Sequence, residues 1–514
     1  MFPERAFGQL RPPQASQVAE YAATLGWNLS DDELAAYTEQ VAGSLLSLDR
    51  VEELDEPTVE LKHTYRDPGR PPRAGEDPYN AWIRRCEVRG AAEGPLVGRT
   101  LGVKDCIAVA GVPMTNGGRR LPVLVPTEDA VVIERLLDAG VTVTGKTNLE
   151  DSGYGLGEGS YFGAARNPID PSRSTGGSST GSGAAVAAGE VDLALGADEG
   201  GSVRIPAAWC GIVGMKATHG LVPSYGMSYM DHTLDHIGPM TRTVADNALM
   251  LEVMAGPDWR DPQWVPQGGP GHPGLGSYTG TADRGVAGLK IGIVAESLEP
   301  VGCTTDVLDA FAAAAKTLTG LGAEVSTVSV PLWSDGWAIA TGALAAGASA
   351  MAASFGTASF SHLGRIDPQA VATMAAQARL QGDDLPPMLK LMMLTVAHVQ
   401  RHYYGMPFVK AHNLRLAMRQ QVDAALEGVD LLITPTVPTV AHTLLDHRVP
   451  AWELSDGRVG PATANTAPLD LTGHPGLSVP AGTGEADLPV GLQIIGRHFA
   501  EDVVYQAGFA FEGA

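Results

Sequence analysis

Two glycine-rich turns that each carry serine enclose an Ala-rich run and a short apolar run, and this stretch, residues 176–209, most constrains the fold. Glycine tolerates backbone conformations that other residues avoid, and it lets a ligand approach the main chain closely. Gly200-Gly201-Ser202 could therefore direct several N–H groups at one point beside a hydroxyl, as in an oxyanion hole with its nucleophile attached. Because a serine hydroxyl is a weak nucleophile at neutral pH, such a site also requires a base elsewhere in the chain.

Short apolar runs alternate with helical segments from about residue 95 onward, which is typical of an α/β fold. The predicted strands are residues 101–105, 141–144, 191–197, 289–294, 431–436 and 491–496, and the predicted helices are residues 129–139, 180–188 and 307–321. Strand, helix and strand in succession favour a largely parallel sheet with helices on its faces.

Two further regions extend this pattern. Residues 1–70 predict a peripheral helical extension in which Ser30 and Glu33 form a capping box ahead of one apolar helix face. That face could pack on the main domain or on a second subunit, so dimerisation is one candidate role. The remaining residues, 71–514, form the predicted catalytic domain, which includes an exposed loop at 257–284 and a helical cap or insertion at 333–426.

Composition limits the partners and the location that we expect. The chain has 58 acidic and 35 basic residues and a formal net charge of −23, which argues against nucleic acid or an anionic membrane as the main partner. The N-terminal residues lack a signal-peptide pattern, and no apolar stretch of about 20 residues spans a bilayer. Four scattered cysteines fit free thiols in a reducing compartment, so we expect a cytoplasmic protein.

Two local patterns match known motifs but lack the structural context that those motifs need. Residues 140–147 fit the phosphate-loop pattern, yet alternating β-branched residues predict a strand preceded by a helix, the reverse of a phosphate loop. Residues 177–181 fit the G-x-S-x-G elbow with Ser179 as nucleophile, but the Pro-rich and charged residues 166–173 cannot form the buried strand that precedes such an elbow. We therefore predict neither nucleotide binding nor an elbow nucleophile here.

Lys104 is the candidate base, because it follows the apolar residues 101–103 and could be drawn into the fold. An amine withdrawn from water is more easily neutral, and a neutral amine accepts a proton. The pattern alone favours a solvated lysine paired with Asp105, since most lysines are exposed. The residues by themselves leave both interpretations open.

Several segments together resemble the amidase signature family. The matching segments are residues 102–105, 145–148, 176–179, 198–207 and 488–496. The resemblance extends over roughly residues 75–510. It implies a large mixed, mostly parallel β-sheet covered by helices on both faces, and a Ser–cisSer–Lys triad. In this sequence the triad falls on Ser202 as nucleophile, on Ser178 as the bridging serine behind a cis peptide bond, and on Lys104 as base.

The same resemblance implies roles for the neighbours of the triad. The oxyanion hole falls on the main-chain N–H groups of Glu199, Gly200, Gly201 and Ser202. The resemblance also implies that Ser179, Asp198 and Arg204 support the two turns. Glu199 stands where many family members carry an uncharged residue, and we expect its side chain to point away from the site. A carboxylate close to the developing negative charge would oppose catalysis.

Within the family, the segments around His219, His236 and His474 resemble the broad-specificity amidases associated with nitrile hydratase. This implies a small-molecule substrate, no cofactor, no metal and no membrane, and a homodimer to which the N-terminal helices contribute. The three histidines are isolated in sequence and lack the spacing of metal ligands. We therefore expect structural histidines that hydrogen-bond loops.

We expect an enzyme that cleaves small aliphatic or aromatic carboxamides to a carboxylic acid and ammonia through an acyl-enzyme. The same triad could serve a carbamate (urethane), aryl-acylamide or ester hydrolase. A further alternative, ranked below these, is the glutaminase subunit of a tRNA-dependent amidotransferase, which depends on partners. The loop at 226–235 and the helices at 333–426 are the expected pocket walls. Met388, Met392 and Met393 could line that pocket or belong to ordinary core.

Overall fold

The computed structural model describes most of the chain in two compact units, Met1–Glu60 and Leu61–Ala514. The described residues are 10–119, 123–228, 230–261, 276–353, 364–381, 383, 385, 387–445 and 459–514. The first nine residues of the predicted extension, and parts of the predicted loop at 257–284 and insertion at 333–426, lie outside the described residues. So does position 229 in the loop predicted to form a pocket wall.

The first unit contains helices α1 (Ala15–Thr24) and α2 (Asp31–Glu52). The predicted capping box is confirmed at the start of α2. Ser30 Oγ accepts a hydrogen bond from the Glu33 main-chain N–H at 3.3 Å, and the Ser30 N–H donates to Glu33 Oε2 at 2.9 Å. Apolar side chains of α2 such as Tyr37, Val41 and Leu48 are exposed. The apolar face that the sequence predicts is therefore largely open to solvent.

A twelve-stranded sheet organises the second unit. Its strands are β1 (Arg66–Arg70), β2 (Trp82–Arg89), β3 (Thr100–Lys104), β4 (Thr142–Thr147), β5 (Leu193–Asp198), β6 (Val213–Lys216), β7 (His236–Thr241), β8 (Lys290–Val294), β9 (Glu324–Val328), β10 (Leu431–Pro435), β11 (Gly476–Thr483) and β12 (Pro489–Ile495). Their order across the sheet is β1-β2-β4-β3-β5-β7-β6-β11-β12-β10-β8-β9. The predicted large mixed sheet is confirmed.

Parallel pairing is confined to two blocks of this sheet. Strands β4, β3 and β5 pair in parallel, and so do β10, β8 and β9. The other seven pairs of neighbours in the described sheet are antiparallel, so the expectation of a mostly parallel sheet is wrong. One reason is visible at β11 and β12, which a short connection joins as a hairpin. A parallel pair needs a longer crossover.

Helices cover both faces of the sheet, as expected. They are α3 (Val131–Asp138), α4 (Thr180–Ala187), α5 (Arg204–Cys210), α6 (Val244–Met254), α7 (Thr305–Gly320), α8 (Gly336–Ala353), α9 (Pro368–Gln381), α10 (Pro387–Tyr403), α11 (Met406–Glu427), α12 (Val459–Thr463), α13 (Ala467–Thr472) and α14 (Glu501–Glu512). Alternation along β5 shows the two faces directly. Leu193 and Leu195 join the apolar core that contains α3, α6 and α14, whereas Ala194 packs with α4 and α5.

The phosphate-loop pattern is a strand, as its context predicts. Residues Thr142–Thr147 form β4, and α3 precedes them. The Lys146 side chain is fully buried, and its Nζ lies 3.0 Å from Asp105 Oδ1 and donates to the Ile107 carbonyl at 2.7 Å. This lysine is therefore engaged within the core. Within the described residues, no helix combines the length and apolarity that a bilayer crossing needs.

Candidate active site

Lys104 is buried at the carboxyl end of β3, in the interior of the sheet between β4 and β5. Its Nζ lies 2.8 Å from Ser178 Oγ and donates to the Ala197 carbonyl at 3.1 Å. The interpretation as a solvated lysine paired with Asp105 is wrong, because Asp105 pairs with Lys146 instead. The structure thus brings Lys104 and Ser178 into hydrogen-bond contact across 74 residues of sequence.

Ser178 occupies the turn that precedes α4, and its side chain is fully buried. The Gly177–Ser178 peptide bond is cis, in agreement with the resemblance. The Ser178 carbonyl accepts a hydrogen bond from the Glu150 N–H at 3.2 Å. The turn is therefore held on one side by Lys104 and on the other by the segment that follows β4.

The second serine turn is built around the Asp198 carboxylate, which lies at the end of β5. Its Oδ1 accepts from the Gly201 N–H at 2.7 Å, and its Oδ2 accepts from the Val203 N–H at 3.0 Å. Gly201 has a φ of +132°, and a Cβ there would lie 2.2 Å from Thr466 Oγ1. Both the backbone conformation and the close approach of Thr466 require glycine at this position.

Ser179 links the two serine turns. Its N–H donates to the Ser202 carbonyl at 3.3 Å, while its hydroxyl donates to the Ala197 carbonyl at 3.2 Å. The Ser179 side chain is therefore buried in contact with the β5 backbone, which agrees with the expectation that it is not an elbow nucleophile. The main-chain hydrogen bond from Ser179 to Ser202 thus joins the two serine turns.

Arg204 is fully buried and binds two carboxylates. Its Nη2 donates to Asp198 Oδ1 and to Asp470 Oδ2, both at 2.8 Å, and its Nη1 donates to Gln493 Oε1 at 2.9 Å. Burial opposes ionisation of Asp198, but the Arg204 charge and hydrogen bonds outweigh it and hold the pKa of Asp198 well below its usual range. Burial and the Asp198 charge raise the pKa of Asp470 well above its usual range. One guanidinium thus neutralises one ionised carboxylate.

We predict that Arg204→Met lowers the free energy of unfolding by about 3–5 kcal/mol, because it leaves the Asp198 carboxylate buried without its cation. Urea denaturation followed by circular dichroism measures the change. The matched control is Arg284→Met, whose ion pair with Asp502 is half exposed, and a loss below about 1 kcal/mol is expected there. Equal losses in the two variants would contradict a supporting role for Arg204.

Glu199 does not point away from the site, and that prediction is wrong. Its side chain is only 6% exposed, and the Ser202 hydroxyl hydrogen-bonds its carboxyl group. Burial raises the pKa of Glu199 to about 7, against the opposing effect of the Lys104 charge, while the Asp198 charge raises it further. The carboxyl group therefore keeps its proton to a higher pH than an exposed glutamate does, which limits the negative charge beside the second turn.

This titration predicts a pH effect on activity. Because the pKa is raised, Glu199 is neutral below about pH 7 and becomes charged above it, close to Ser202, Asp198 and Asp235. We expect the rate of Glu199→Gln relative to wild type to rise about tenfold from pH 6 to pH 8, since only the wild type acquires a charge that opposes the oxyanion. Steady-state rates across this range test it, and a constant ratio would contradict it.

A group of polar atoms near Glu199 has no hydrogen-bond partner among the described residues. It comprises Glu199 Oε2, Asp235 Oδ1 and the Tyr154 hydroxyl, all of which are buried. Burial and the Glu199 charge raise the pKa of Asp235 well above its usual range. Buried polar atoms normally find partners, so these three mark a polar surface suited to a ligand. No pattern in the sequence pointed to Tyr154.

The methionines of α10 pack close to this polar surface. Met388, Met392 and Met393 are partly buried in an apolar cluster with Tyr154 and Met230. The Met230 sulfur and Ser178 Oγ both lie near Gly153, at 2.8 and 3.7 Å from the position of a Cβ added there. The three methionines therefore belong to an apolar cluster beside the polar surface. They do not lie in a distant part of the core or alone on the surface.

The three histidines that the sequence singled out each contact loop or neighbouring polar groups. His236 Nδ1 lies 2.6 Å from the Leu234 carbonyl, and His219 Nε2 lies 3.3 Å from the His232 carbonyl. Burial lowers the pKa of His219 to about 4 and that of His236 well below its usual range. His474 Nδ1 lies 3.0 Å from Thr472 Oγ1. None of these described contacts joins a histidine to Lys104 or Ser178.

Comparison with known proteins reveals extensive similarity to one component of a larger enzyme, the A subunit of glutamyl-tRNA(Gln) amidotransferase. The chain is 38% identical over 450 residues to the A subunit from Haloarcula marismortui, covering 84% of this chain and 99% of that protein. The A subunit from Halobacterium salinarum is 39% identical over 447 residues, with the same two coverages.

The crystal structure of the corresponding A subunit from Thermotoga maritima is similar in fold and sequence. It superposes with a TM-score of 0.66 at 30% identity, covering 84% of this chain and 87% of that one. These findings correct two of our expectations. The preferred function, a stand-alone amidase for small carboxamides, is wrong. The expectation of a homodimer without nucleic acid is also wrong, since these relatives are subunits of an enzyme named for tRNA.

The resemblance to the nitrile-hydratase-associated amidases is likewise replaced by this similarity to amidotransferase subunits. The broader family assignment is confirmed. The sequence profile of the family described as amidase matches residues 80–504, which include both serine turns and Lys104. The chain therefore belongs to the amidase signature family and is an enzyme that acts on amide C–N bonds.

Proposed function

We propose that the chain is the glutamine-hydrolysing subunit of a glutamyl-tRNA(Gln) amidotransferase. The observation that carries this proposal is the similarity to the amidotransferase A subunits, which extends over 99% of the length of a relative. An amidotransferase needs a nitrogen donor, and a serine site that cleaves an amide C–N bond releases ammonia from such a donor. The chain then works within an assembly whose product is formed on tRNA.

The proposed chemistry begins with Ser202 Oγ attacking the side-chain amide carbonyl of glutamine. In this relay the Ser202 hydroxyl turns from Glu199 to Ser178, which takes its proton and passes its own proton to Lys104. Lys104 must enter the step as the neutral amine, and the 2.8 Å separation of Lys104 Nζ and Ser178 Oγ supports the second transfer. The proton returns to the leaving nitrogen, which departs as ammonia. Water then attacks the γ-glutamyl ester on Ser202 by the same relay and releases glutamate.

The oxyanion that forms in each step is held by main-chain N–H groups of the second turn in this proposal. Gly201 already donates its N–H to Asp198 Oδ1. The Glu199 N–H also hydrogen-bonds its own carboxyl group, so the stabilisation rests mainly on the N–H groups of Gly200 and Ser202. A Cβ at Gly200 would meet no heavy atom within 4 Å, so a substrate can approach the main chain there.

The pocket that we propose for glutamine combines the polar surface of Glu199, Asp235 and Tyr154 with the methionines of α10. Unpartnered buried oxygens suit hydrogen-bond donors on a substrate, and methionine side chains adapt to its methylene groups. The wall is thus polar where the amino acid carries polar groups and apolar elsewhere.

The test compares amide donors. The tagged chain is purified from its own cells together with bound partners, and also alone, and ammonia release is measured from glutamine, acetamide and benzamide. We expect glutamine turnover at least roughly 100-fold above the simple amides, and amidation of glutamyl-tRNA by the assembly, with both lost in Ser202→Ala. Turnover of acetamide or benzamide without glutamine turnover in either preparation would overturn the proposal.

A further inference from the structure

Two histidines and an aspartate meet where α11 lies against the ends of two neighbouring strands. Asp423 is on α11, His474 lies two residues before β11, and His498 lies three residues after β12. His474 Nε2 is 3.0 Å from Asp423 Oδ1, and His498 Nδ1 is 3.8 Å from the same oxygen. All three ligand atoms lie within 4.8 Å of one another.

Thr472 orients both imidazole rings toward the aspartate. Its carbonyl lies 2.9 Å from His498 Nε2 and accepts a hydrogen bond, so that nitrogen carries the proton. In the neutral ring the lone pair is then on His498 Nδ1, which faces the carboxylate oxygen of Asp423. His498 Nδ1 and Asp423 Oδ1 are then both hydrogen-bond acceptors, and no proton lies between them.

The second ring already hydrogen-bonds the aspartate. His474 Nε2–H donates to Asp423 Oδ1 at 3.0 Å, and Nδ1 lies 3.0 Å from the Thr472 hydroxyl, which can donate to it. Because that hydroxyl can also accept, the ring proton can reside on Nδ1 when an ion takes the place of the proton on Nε2. In metal sites, a histidine ligand usually donates its other ring N–H to an oxygen atom that does not itself bind the metal.

We propose that Asp423, His474 and His498 form a binding site for a divalent transition-metal ion of the Zn²⁺ class. Two imidazole nitrogens and one carboxylate oxygen are ligands that Zn²⁺ prefers, with water in a remaining position. Bonds of about 2.0–2.2 Å require ligand atoms within about 4 Å of each other. Asp423 Oδ1 already meets this limit with both histidine nitrogens, at 3.0 and 3.8 Å. The two imidazole nitrogens lie within 4.8 Å of each other, so the set closes by a small rotation of His498, the more exposed of the two rings.

The exposed fractions of the three side chains, and the position of the neighbouring Arg419 charge, allow an ion to enter from solvent beside Asp423. His474 is fully buried and His498 is 17% exposed, so the two rings lie on the inner side of the site and Asp423 lies on the solvent side. The nearest cation on the same helix is Arg419, whose Nε lies 3.8 Å from the other carboxylate oxygen, Oδ2. An ion at Oδ1 would join α11 to β11 and β12 and act as a structural clamp. This metal site does not depend on the proposed function.

The experiment titrates the full chain, dialysed against EDTA, with Zn²⁺ in a calorimeter and with Co²⁺ in an absorption spectrometer. We expect one ion per chain, and Asp423→Asn and His498→Gln should each weaken Zn²⁺ binding at least roughly 100-fold. Zn²⁺ should also raise the melting temperature of the wild type by roughly 2–4 °C and leave that of Asp423→Asn unchanged.

The matched control removes a second pair of histidines. His398 and His402 lie one turn apart on the exposed side of α10 with ring centroids 4.8 Å apart, which is a second geometry that can chelate an ion. The double variant His398→Gln/His402→Gln should keep full Zn²⁺ affinity. Absence of stoichiometric binding by the wild type, or binding that is lost in this control and kept in Asp423→Asn, would overturn the proposal. Because Asp423 is half exposed, we expect Asp423→Asn to fold. That variant therefore still tests the proposal if His498→Gln fails to fold.

Discussion

Ser202→Ala is expected to abolish amide hydrolysis, with a loss of roughly 10⁴-fold or more, because the hydroxyl that forms the acyl-enzyme is removed. The same variant should lose covalent labelling by a serine-directed fluorophosphonate. The fold should survive, since the second turn is held by the Asp198 carboxylate and not by the Ser202 side chain. Ammonia release and labelling followed by mass spectrometry measure both effects.

The control for this variant is Ser334→Ala, which removes an exposed hydroxyl in the short helix Pro331–Asp335. Labelling and turnover should both match the wild type. If Ser202→Ala kept its labelling while circular dichroism showed an unchanged fold, another nucleophile would have to exist, and the assignment of Ser202 would fail.

Lys104→Met should lower the rate by roughly 10²–10⁴-fold, because the proton relay loses its final acceptor while the apolar side chain fills the buried space. Binding of glutamine should change far less than turnover, since Lys104 contacts Ser178 and the Ala197 carbonyl and neither belongs to the proposed pocket wall. Steady-state kinetics that separate kcat from KM measure this difference.

Lys290→Met provides the matched control, because Lys290 is an exposed lysine on β8, a strand on the far side of the sheet order from β3. Its rate should equal that of the wild type. A similar rate in Lys104→Met and Lys290→Met would exclude Lys104 as the base and leave its contact with Ser178 a structural one.

Much of the catalytic arrangement was predictable because it is local. The serine turns lie on either side of α4 and β5, so their glycines and the supporting Asp198 could be identified from short segments. Lys104 was different, since its burial depends on the position of β3 between β4 and β5, which the pattern did not show. Only the family resemblance favoured Lys104 as base over a solvated lysine.

Long-range partners could not be predicted in the same way. Gln493 lies 289 residues from Arg204, and Asp470 lies 266 residues from it. The packing of α5 against β12 brings Arg204 to Gln493, whereas Asp470 reaches Arg204 from α13. No local pattern encodes these long-range contacts. The prediction that the Glu199 side chain points away from the site failed for a related reason. An acidic side chain is normally expected in solvent, and its burial depends on neighbours such as Lys104 that a sequence does not position.

The two wrong functional predictions have separate causes. Net charge describes the average over a whole surface, so −23 does not exclude a role in an enzyme that acts on tRNA. The proposed triad residues occur in enzymes with different substrates, so the resemblance pointed to a reaction on an amide bond but not to the amide. Substrate choice depends on side chains such as Tyr154 and Asp235, which only the folded chain brings to the site.

Ser202 is expected to carry a γ-glutamyl group during turnover. Glutamine labelled with ¹⁵N at the amide and with ¹³C in the side chain is mixed with the chain and its partners, quenched in acid, digested and analysed by mass spectrometry. We predict ¹⁵N-ammonia together with a ¹³C-labelled ester on the peptide that contains Ser202, and neither in Ser202→Ala. Release of ¹⁵N-ammonia by the Ser202→Ala variant at the wild-type rate would show that Ser202 is not the nucleophile.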